Sequence, residues 1–295
     1  MFAKIRHIAI YTHKHAEMTH FYQTIFGMKR MTSGTVDETG KQNAGRGHIS
    51  DGVIGMAILP RYAGIQSGMD HYGFEVEDVK EFVRRIEKYY PNTMIAKALE
   101  YVPFAGLRSY DPAGTPFDIA QIGVGNIREG YTQGGWDQPR WISHVSIRAQ
   151  QPAEVAEFYE KIFQLKEAET YRDDGLICLT DGKVKLLLRP FDTSLYRGLR
   201  EGLDHLGFKV ENLQRAKDDL EALASSSPDS AAKKIAVGLH GQMIEKDFQR
   251  CCFGQHFISD PDGWAGRHRR KLIGGRSAHH RFVTGKATLC TMTKQ

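Results

Sequence analysis

Asp70-His71-Tyr72-Gly73-Phe74-Glu75-Val76 comes back later in the chain as Asp204-His205-Leu206-Gly207-Phe208-Lys209-Val210. Both copies read as strands, and a helix is predicted after each, over 79–90 and 213–224. Working outward, the same order of motifs brackets both copies. Upstream, Arg6-His7-Ile8-Ala9-Ile10 answers Ser143-His144-Val145-Ser146-Ile147. Fourteen residues after each of these histidines comes an aromatic pair in a predicted helix, Phe21-Tyr22 and Phe158-Tyr159. Asp51-Gly52 and Asp181-Gly182 each open a turn that leads into an apolar strand. Downstream, Asp111-Pro112-Ala113-Gly114 answers Asp260-Pro261-Asp262-Gly263.

An ordered double repeat implies two similar halves. Each half divides again, because His7, His71, His144 and His205 all stand on the first strand of a quarter-chain unit. Each unit reads strand, helix, then further strands, which is an α+β composition of four βαβββ modules. The expected limits are 1–126 for the first pair (modules 1–65 and 66–126) and 139–264 for the second (139–198 and 199–264). A boundary rich in Gly and polar residues lies near 125–138. An extra segment, 225–253, lengthens the last module, and its Ser-Ser-Ser-Pro-Asp-Ser part reads as a surface loop.

Composition bounds the function. Of 295 residues, 41% are hydrophobic and 25% charged, values of an ordinary globular protein. No apolar run approaches the length of a membrane helix, and the first residues lack the apolar core of a secretory signal. The cysteines, Cys178, Cys251, Cys252 and Cys290, have no CxxC spacing. That argues against a zinc ribbon and against a disulfide framework, and fits a reducing cytoplasm. The net charge of +5 is local: residues 265–295 carry eight Lys/Arg and no acid, leaving 32 Lys/Arg against 35 Asp/Glu elsewhere. A body without a basic stripe is not that of a nucleic-acid binder.

Four modules carrying x-His-Ile-x-Ile, a Phe-Tyr helix, Asp-His-x-Gly-Phe-x-Val and Asp-Pro-x-Gly resemble the vicinal oxygen chelate superfamily of glyoxalases, bleomycin-resistance proteins and extradiol dioxygenases. The resemblance runs from residue 2 to about 264. It implies that each pair of modules curves into an incomplete β-barrel, flanked by helices, around one divalent metal. Carried over residue by residue, the ligands of the first pair would be His7, His71 and Asp118, where the family more often has Glu. Strand alternation agrees on direction. It predicts His7, Ile5, Ala9 and Tyr11 on one face of the first strand, and Asp118 opposite Phe117 and Ile119 in the last. Two imidazoles and one carboxylate leave positions open on Fe(II). Mn(II) or Zn(II) would fit as well. The places of a fourth ligand, Met56–Leu59 and Leu186–Leu188, are apolar. Three ligands favour an extradiol-type dioxygenase acting on a catechol-like small molecule. The alternatives are a glyoxalase-like lyase or epimerase, working through a metal-stabilised enediolate, and a metal-free small-molecule binding protein. A homodimer is compatible with the sequence.

The second pair offers His144 and His205, but the place of its carboxylate is Arg267, so this site reads as degenerate. After Trp264 no motif finds its counterpart. Back-translated, Trp264 onward permits Trp-Pro-Val-Asp-Ile-Ala one base out of step, which would restore the first half's pattern and put Asp at the ligand place. The tail is then either a native basic extension or out of frame. In the second case the last strand of the half should be lost with the carboxylate.

Several residues have blander readings beside these. A lone strand histidine is more often structural than ligating, and only the matched placement of four lifts these above that. Glu75 shares a face with His71 and is an alternative carboxylate. The Phe-Tyr pairs are helix core. Tyr11 and Arg148 have cavity-facing parity, and 31–46 reads as a lid or an ordinary hairpin loop.

Overall fold

The computed structural model describes residues 2–30, 48–98, 104–123, 138–168, 175–191, 201–233 and 254–263, together with the backbone of 289–294. The first half runs β1 (Ala3–Thr12), α1 (His15–Phe26), β2 (Lys29–Arg30), β3 (His48–Ser50), β4 (Gly55–Pro60). It repeats this as β5 (Gly68–Val76), α2 (Val79–Tyr89), β6 (Ala96–Lys97), β7 (Leu107–Tyr110), β8 (Pro116–Gln121). The second half runs β9 (Trp141–Ala149), α3 (Pro152–Phe163), β10 (Lys166–Glu167), β11 (Ile177–Thr180), β12 (Lys185–Pro190). Then come β13 (Gly202–Val210), α4 (Leu213–Ser226), β14 (His256–Ser259) and β15 (Leu289–Lys294).

Each half forms one sheet, ordered β2-β3-β4-β1-β5-β8-β7-β6 and β10-β11-β12-β9-β13-β15-β14. The first strands of the two modules pair antiparallel at the centre of each sheet, β1 with β5 and β9 with β13. Each is flanked by a parallel partner from its own module, β4 beside β1 and β8 beside β5. The outer strands, β2 and β6 in one sheet and β10 and β14 in the other, each pair on one side only, so among the described residues neither sheet closes, and the α+β architecture of two repeated halves with open, incomplete barrels is the one expected.

The two halves are tied by exchange. Helix α1 buries Phe21, Tyr22, Ile25 and Phe26, and stops at Gly27, whose φ of 66° suits a residue without a side chain. Phe26 stacks on Phe208 of β13 with ring centroids 3.7 Å apart. Phe163, at the end of α3, stacks on Phe74 of β5 at 4.0 Å. The aromatic helices are thus core, and each docks on the other half's sheet. The Asp-Gly turns do the same with polar groups. Asp51 Oδ1 accepts from Val53 N and Ile54 N in its own turn, while Oδ2 accepts from Ile142 N of β9 at 2.6 Å. Asp181 Oδ1 binds its own turn, while Oδ2 accepts from Ile5 N of β1 at 2.7 Å.

Two expectations change here. The serine-rich stretch is not all loop: Ser225 and Ser226 end α4, and Pro228–Ser230 form a 3-10 turn with Ser230 buried. The last strand of the second half is not lost. Residues 289–294 supply β15, which pairs parallel with β13 and places Thr291 opposite Gly207, as β8 places Asp118 opposite Gly73. The edge of β13 presents backbone groups that need a partner, and the tail provides one. Arg267, the 31–46 segment and most of the 125–138 boundary lie outside the described residues. No described helix is long and apolar enough to cross a membrane.

Candidate metal centre

Register places the site. Ile5 lies opposite Phe74 while His7 lies opposite Gly73, so Arg6 is an extra residue in β1. This bulge corrects the simple alternation: Ile5 turns into the core with Ile8 and Ile10, and His7 faces the concave side. A second bulge inserts Asp70 into β5 just before His71. Asp70 Oδ2 then reaches His71 Nδ1 at 2.7 Å and leaves Nε2 to face the centre. β8 adds Asp118, with Phe117 and Ile119 in the core behind it.

His7, His71 and Asp118 converge, each buried, with ligand atoms all within 4.8 Å of one another. The His7 and His71 Nε2 atoms are 3.3 Å apart, and His71 Nε2 lies 3.1 Å from Asp118 Oδ2. Two ring nitrogens and a carboxylate oxygen on one small volume suit a divalent first-row metal, so the donor set fits. Electrostatics agree. Burial and the neighbouring His71 hold His7 well below the usual imidazole range, hence neutral. Burial pushes Asp118 up, but His71 and Arg108 outweigh it and hold the carboxylate ionised. Burial alone would lower His71, yet the Asp118 charge and the bonds to Asp118 and Asp70 raise it.

Sequence reasoning missed three neighbours. Arg108 lies directly opposite Asp118 across β7 and β8, and donates from Nε to Oδ1 at 2.6 Å and from Nη2 to Oδ2 at 3.1 Å. Its Nη2 is also 3.2 Å from His71 Nε2. The cross-strand register of a β7–β8 hairpin was the one available signal. Phe104 stacks on the His7 ring at 4.8 Å and does so with a φ of 74°, a strained conformation for a bulky residue. Nothing in the sequence marks it. His48 lies opposite Ala57 on β3, and Ala57 opposite Ala9, so it shares the concave face with His7, and its charge helps depress His7. Tyr11 is on that side too, its hydroxyl raised by burial and by Asp70. Glu75, the alternative carboxylate, pairs instead with Arg6 at 3.4 Å, because the bulge turns Arg6 toward it.

The second half repeats the frame without the donors. Bulges insert Ser143 and Asp204 at the matching places, and His144 and His205 bring their Nε2 atoms to 3.2 Å. Lys185 takes the position of Gly55 beside the first-strand histidine. Burial, His205 and Lys185 depress His144. Asp204 holds His205 Nδ1 at 2.9 Å and is paired with Arg148 and Arg189 at 3.0 and 2.8 Å. At the register place of Asp118 stands Thr291. Among the described residues no carboxylate completes the pair, so this donor set does not fit a metal.

The sequence model of the Glyoxalase/Bleomycin resistance protein/Dioxygenase superfamily matches residues 4–118 and 141–265. The chain belongs to this superfamily. The match falls once on each half, as the repeat requires. Solved structures share the fold. The 2,3-dioxygenase LapB of Pseudomonas sp. KL28 has a TM-score of 0.56 at 14% identity, over 98% of this chain and 92% of that one. The Mn(II)-bound glyoxalase from Novosphingobium aromaticivorans has a TM-score of 0.55 at 13% identity, over 99% and 82%. A xylose isomerase-like TIM barrel/4-hydroxyphenylpyruvate dioxygenase fusion protein has a TM-score of 0.53 at 11% identity, over 86% of this chain but 43% of that one. No curated protein matches the chain in sequence. Superfamily members at such identities share architecture, and architecture alone does not assign a reaction.

Proposed function

We propose that this superfamily member is a metal-dependent enzyme whose centre is His7, His71 and Asp118. The observation that carries this is the convergence of three buried donors in one half, against a pair without a carboxylate in the other. The favoured metal is Fe(II), with Mn(II) or Zn(II) as alternatives, and the favoured activity is extradiol-type cleavage of a catechol-like ring. When bound, such a metal supplies Lewis acidity and open positions for two adjacent substrate oxygens. The chain's own residues do the rest. Asp70 fixes the His71 ring, Phe104 fixes the His7 ring, and Arg108 offers a cation to an anionic substrate oxygen. His48 and Tyr11 on the same wall are the groups placed to hold or move a proton. The solved dioxygenase and glyoxalase folds support a small-molecule substrate; a cytoplasmic location and a homodimer remain part of the proposal.

Metal analysis of the purified protein, followed by oxygen uptake with catechols after anaerobic Fe(II) loading, tests this. Metal bound at one site per chain and oxygen consumed would support it. Bound metal without oxygen uptake would turn the reading to a glyoxalase-like lyase or epimerase. Absence of metal binding would leave a metal-free small-molecule binding protein, in which Arg108 and His71 balance Asp118.

A further inference from the structure

Arg108 stands where a cation belongs. Its guanidinium takes both oxygens of Asp118, one at 2.6 Å and one at 3.1 Å, and its Nη2 comes within 3.2 Å of His71 Nε2. Two of the three donor atoms of the centre are therefore in contact with a positive charge that belongs to the chain. A bidentate guanidinium–carboxylate pair is a strong, directional contact, and here one partner is almost fully buried while Arg108 is 37% exposed. The pair is built into the sheet, since Arg108 and Asp118 are directly opposed in the β7–β8 ladder. The second half has Phe257 at this register place, opposite Thr291, so neither charge of the pair is repeated there.

We propose that Arg108 is an internal counter-cation that competes with the metal for Asp118, holding the metal-free centre folded and tempering its affinity. The proposal rests on the metal-centre reading above. A metal held by His7, His71 and Asp118 would draw on the Asp118 carboxylate and the His71 imidazole, and Arg108 Nη2 already contacts both, at Oδ2 and at Nε2. Loading would require the guanidinium to give up part of its hold on Asp118 and its contact with His71. The half-exposed side chain has solvent to swing into, whereas Asp118 has none. Each side of the exchange has a cost: without metal, the arginine offsets a buried carboxylate; with metal, the arginine loses that partner. The apparent affinity for metal is lowered by the strength of the contact displaced.

The test uses the full chain and two metals, Mn(II) and Zn(II), with chelator competition to measure affinity and urea unfolding to measure the metal-free state. Arg108→Gln is expected to bind metal at least about tenfold more tightly than the parent, the scale of one charge-assisted contact. Metal-free, the variant should unfold at lower urea than the parent, and metal should stabilise it by more. Arg108→Lys keeps the charge but not the fork, so a smaller gain is expected; it carries the comparison if Arg108→Gln does not unfold cooperatively. Equal or weaker affinity in the variants would overturn the competition while leaving the metal centre in place. If neither parent nor variants bind metal, the centre itself is refuted and the competition with it.

Discussion

A Cβ atom on Gly207 would lie 1.8 Å from Cε1 of His144 and close to both ring nitrogens. The imidazole therefore fills the space that a side chain on the neighbouring strand would need. Gly207→Ala is expected to expel His144 from its place and cost about 1–3 kcal/mol, the usual penalty of overpacking. Gly73 holds the matching place, where a Cβ would meet Phe104 at 2.5 Å and His7 at 3.1 Å. Gly73→Ala should displace Phe104, loosen His7 and weaken metal binding, whereas Gly207→Ala should leave metal binding intact. Urea unfolding and metal titration of both variants check this; equal effects on metal binding would contradict it.

His71→Ala should reduce metal content to background. It leaves the Arg108–Asp118 pair standing but removes the buried imidazole beside Asp118, so metal-free unfolding should come at somewhat lower urea. A variant that retains a full complement of metal would refute the ligand assignment.

Asp111 gives a pH signature. It is buried, accepts from Tyr159 Oη at 2.7 Å and from Thr115 N at 2.7 Å, and burial raises its pKa to about 6. The unfolded chain releases this proton near the ordinary aspartate value, so between about pH 4 and pH 6 the folded form binds more protons. The contribution of Asp111 is therefore most favourable below the unfolded pKa and is lost as pH rises through about 6, by roughly 3 kcal/mol. Asp111→Asn cannot titrate, so its stability relative to the parent should improve by about 2 kcal/mol between pH 4.5 and pH 7.5, the part of the loss that falls in that window. A difference that stays flat with pH, in urea unfolding, would be inconsistent with the buried carboxyl.

The repeat and the helices were legible because each rests on local pattern, whereas the three candidate ligands came from the family resemblance, and the structure adds that they lie close together. Phe21-Tyr22 and Phe158-Tyr159 could only be helix core at their spacing, and His7 and His71 head strands with matched motifs. Ile5 was misplaced because a bulge at Arg6 inverts the face, and alternation carries no sign of an inserted residue. Arg108, Phe104 and His48 escaped because they reach the site through cross-strand register and one strained φ, which a linear reading does not expose. Glu75 shared the right parity and still missed the centre, since Arg6 takes it.

The tail keeps its open choice. We propose that the chain after Trp264 is out of its ancestral frame, with β15 a substitute strand at the old register. Sequencing the gene decides it: nucleotides read one base out of step after Trp264 should encode Asp-Ile-Ala. Codons that do not would establish a native basic extension.

Removing the Asp51 carboxylate exposes three buried amides, Val53, Ile54 and Ile142, to loss of their partner. Asp51→Ala should cost several kcal/mol, at about 1–3 per buried unsatisfied group. A denaturation midpoint within error of the parent would contradict this.

The exchange of Asp51 and Asp181 across the halves has a consequence for how the chain is inherited and cut. Each half carries the acceptor for the other half's leading strand and lacks the acceptor for its own. Severed between residues 123 and 138, the two pieces would each expose a stacking phenylalanine and an unmet amide, Ile5 in one and Ile142 in the other. They are complementary rather than autonomous, so a bisected gene should yield fragments that recover structure on mixing. The two halves are alike yet each is indispensable to the other, since each supplies the carboxylate and the stacking phenylalanines that the other's leading strand and sheet require.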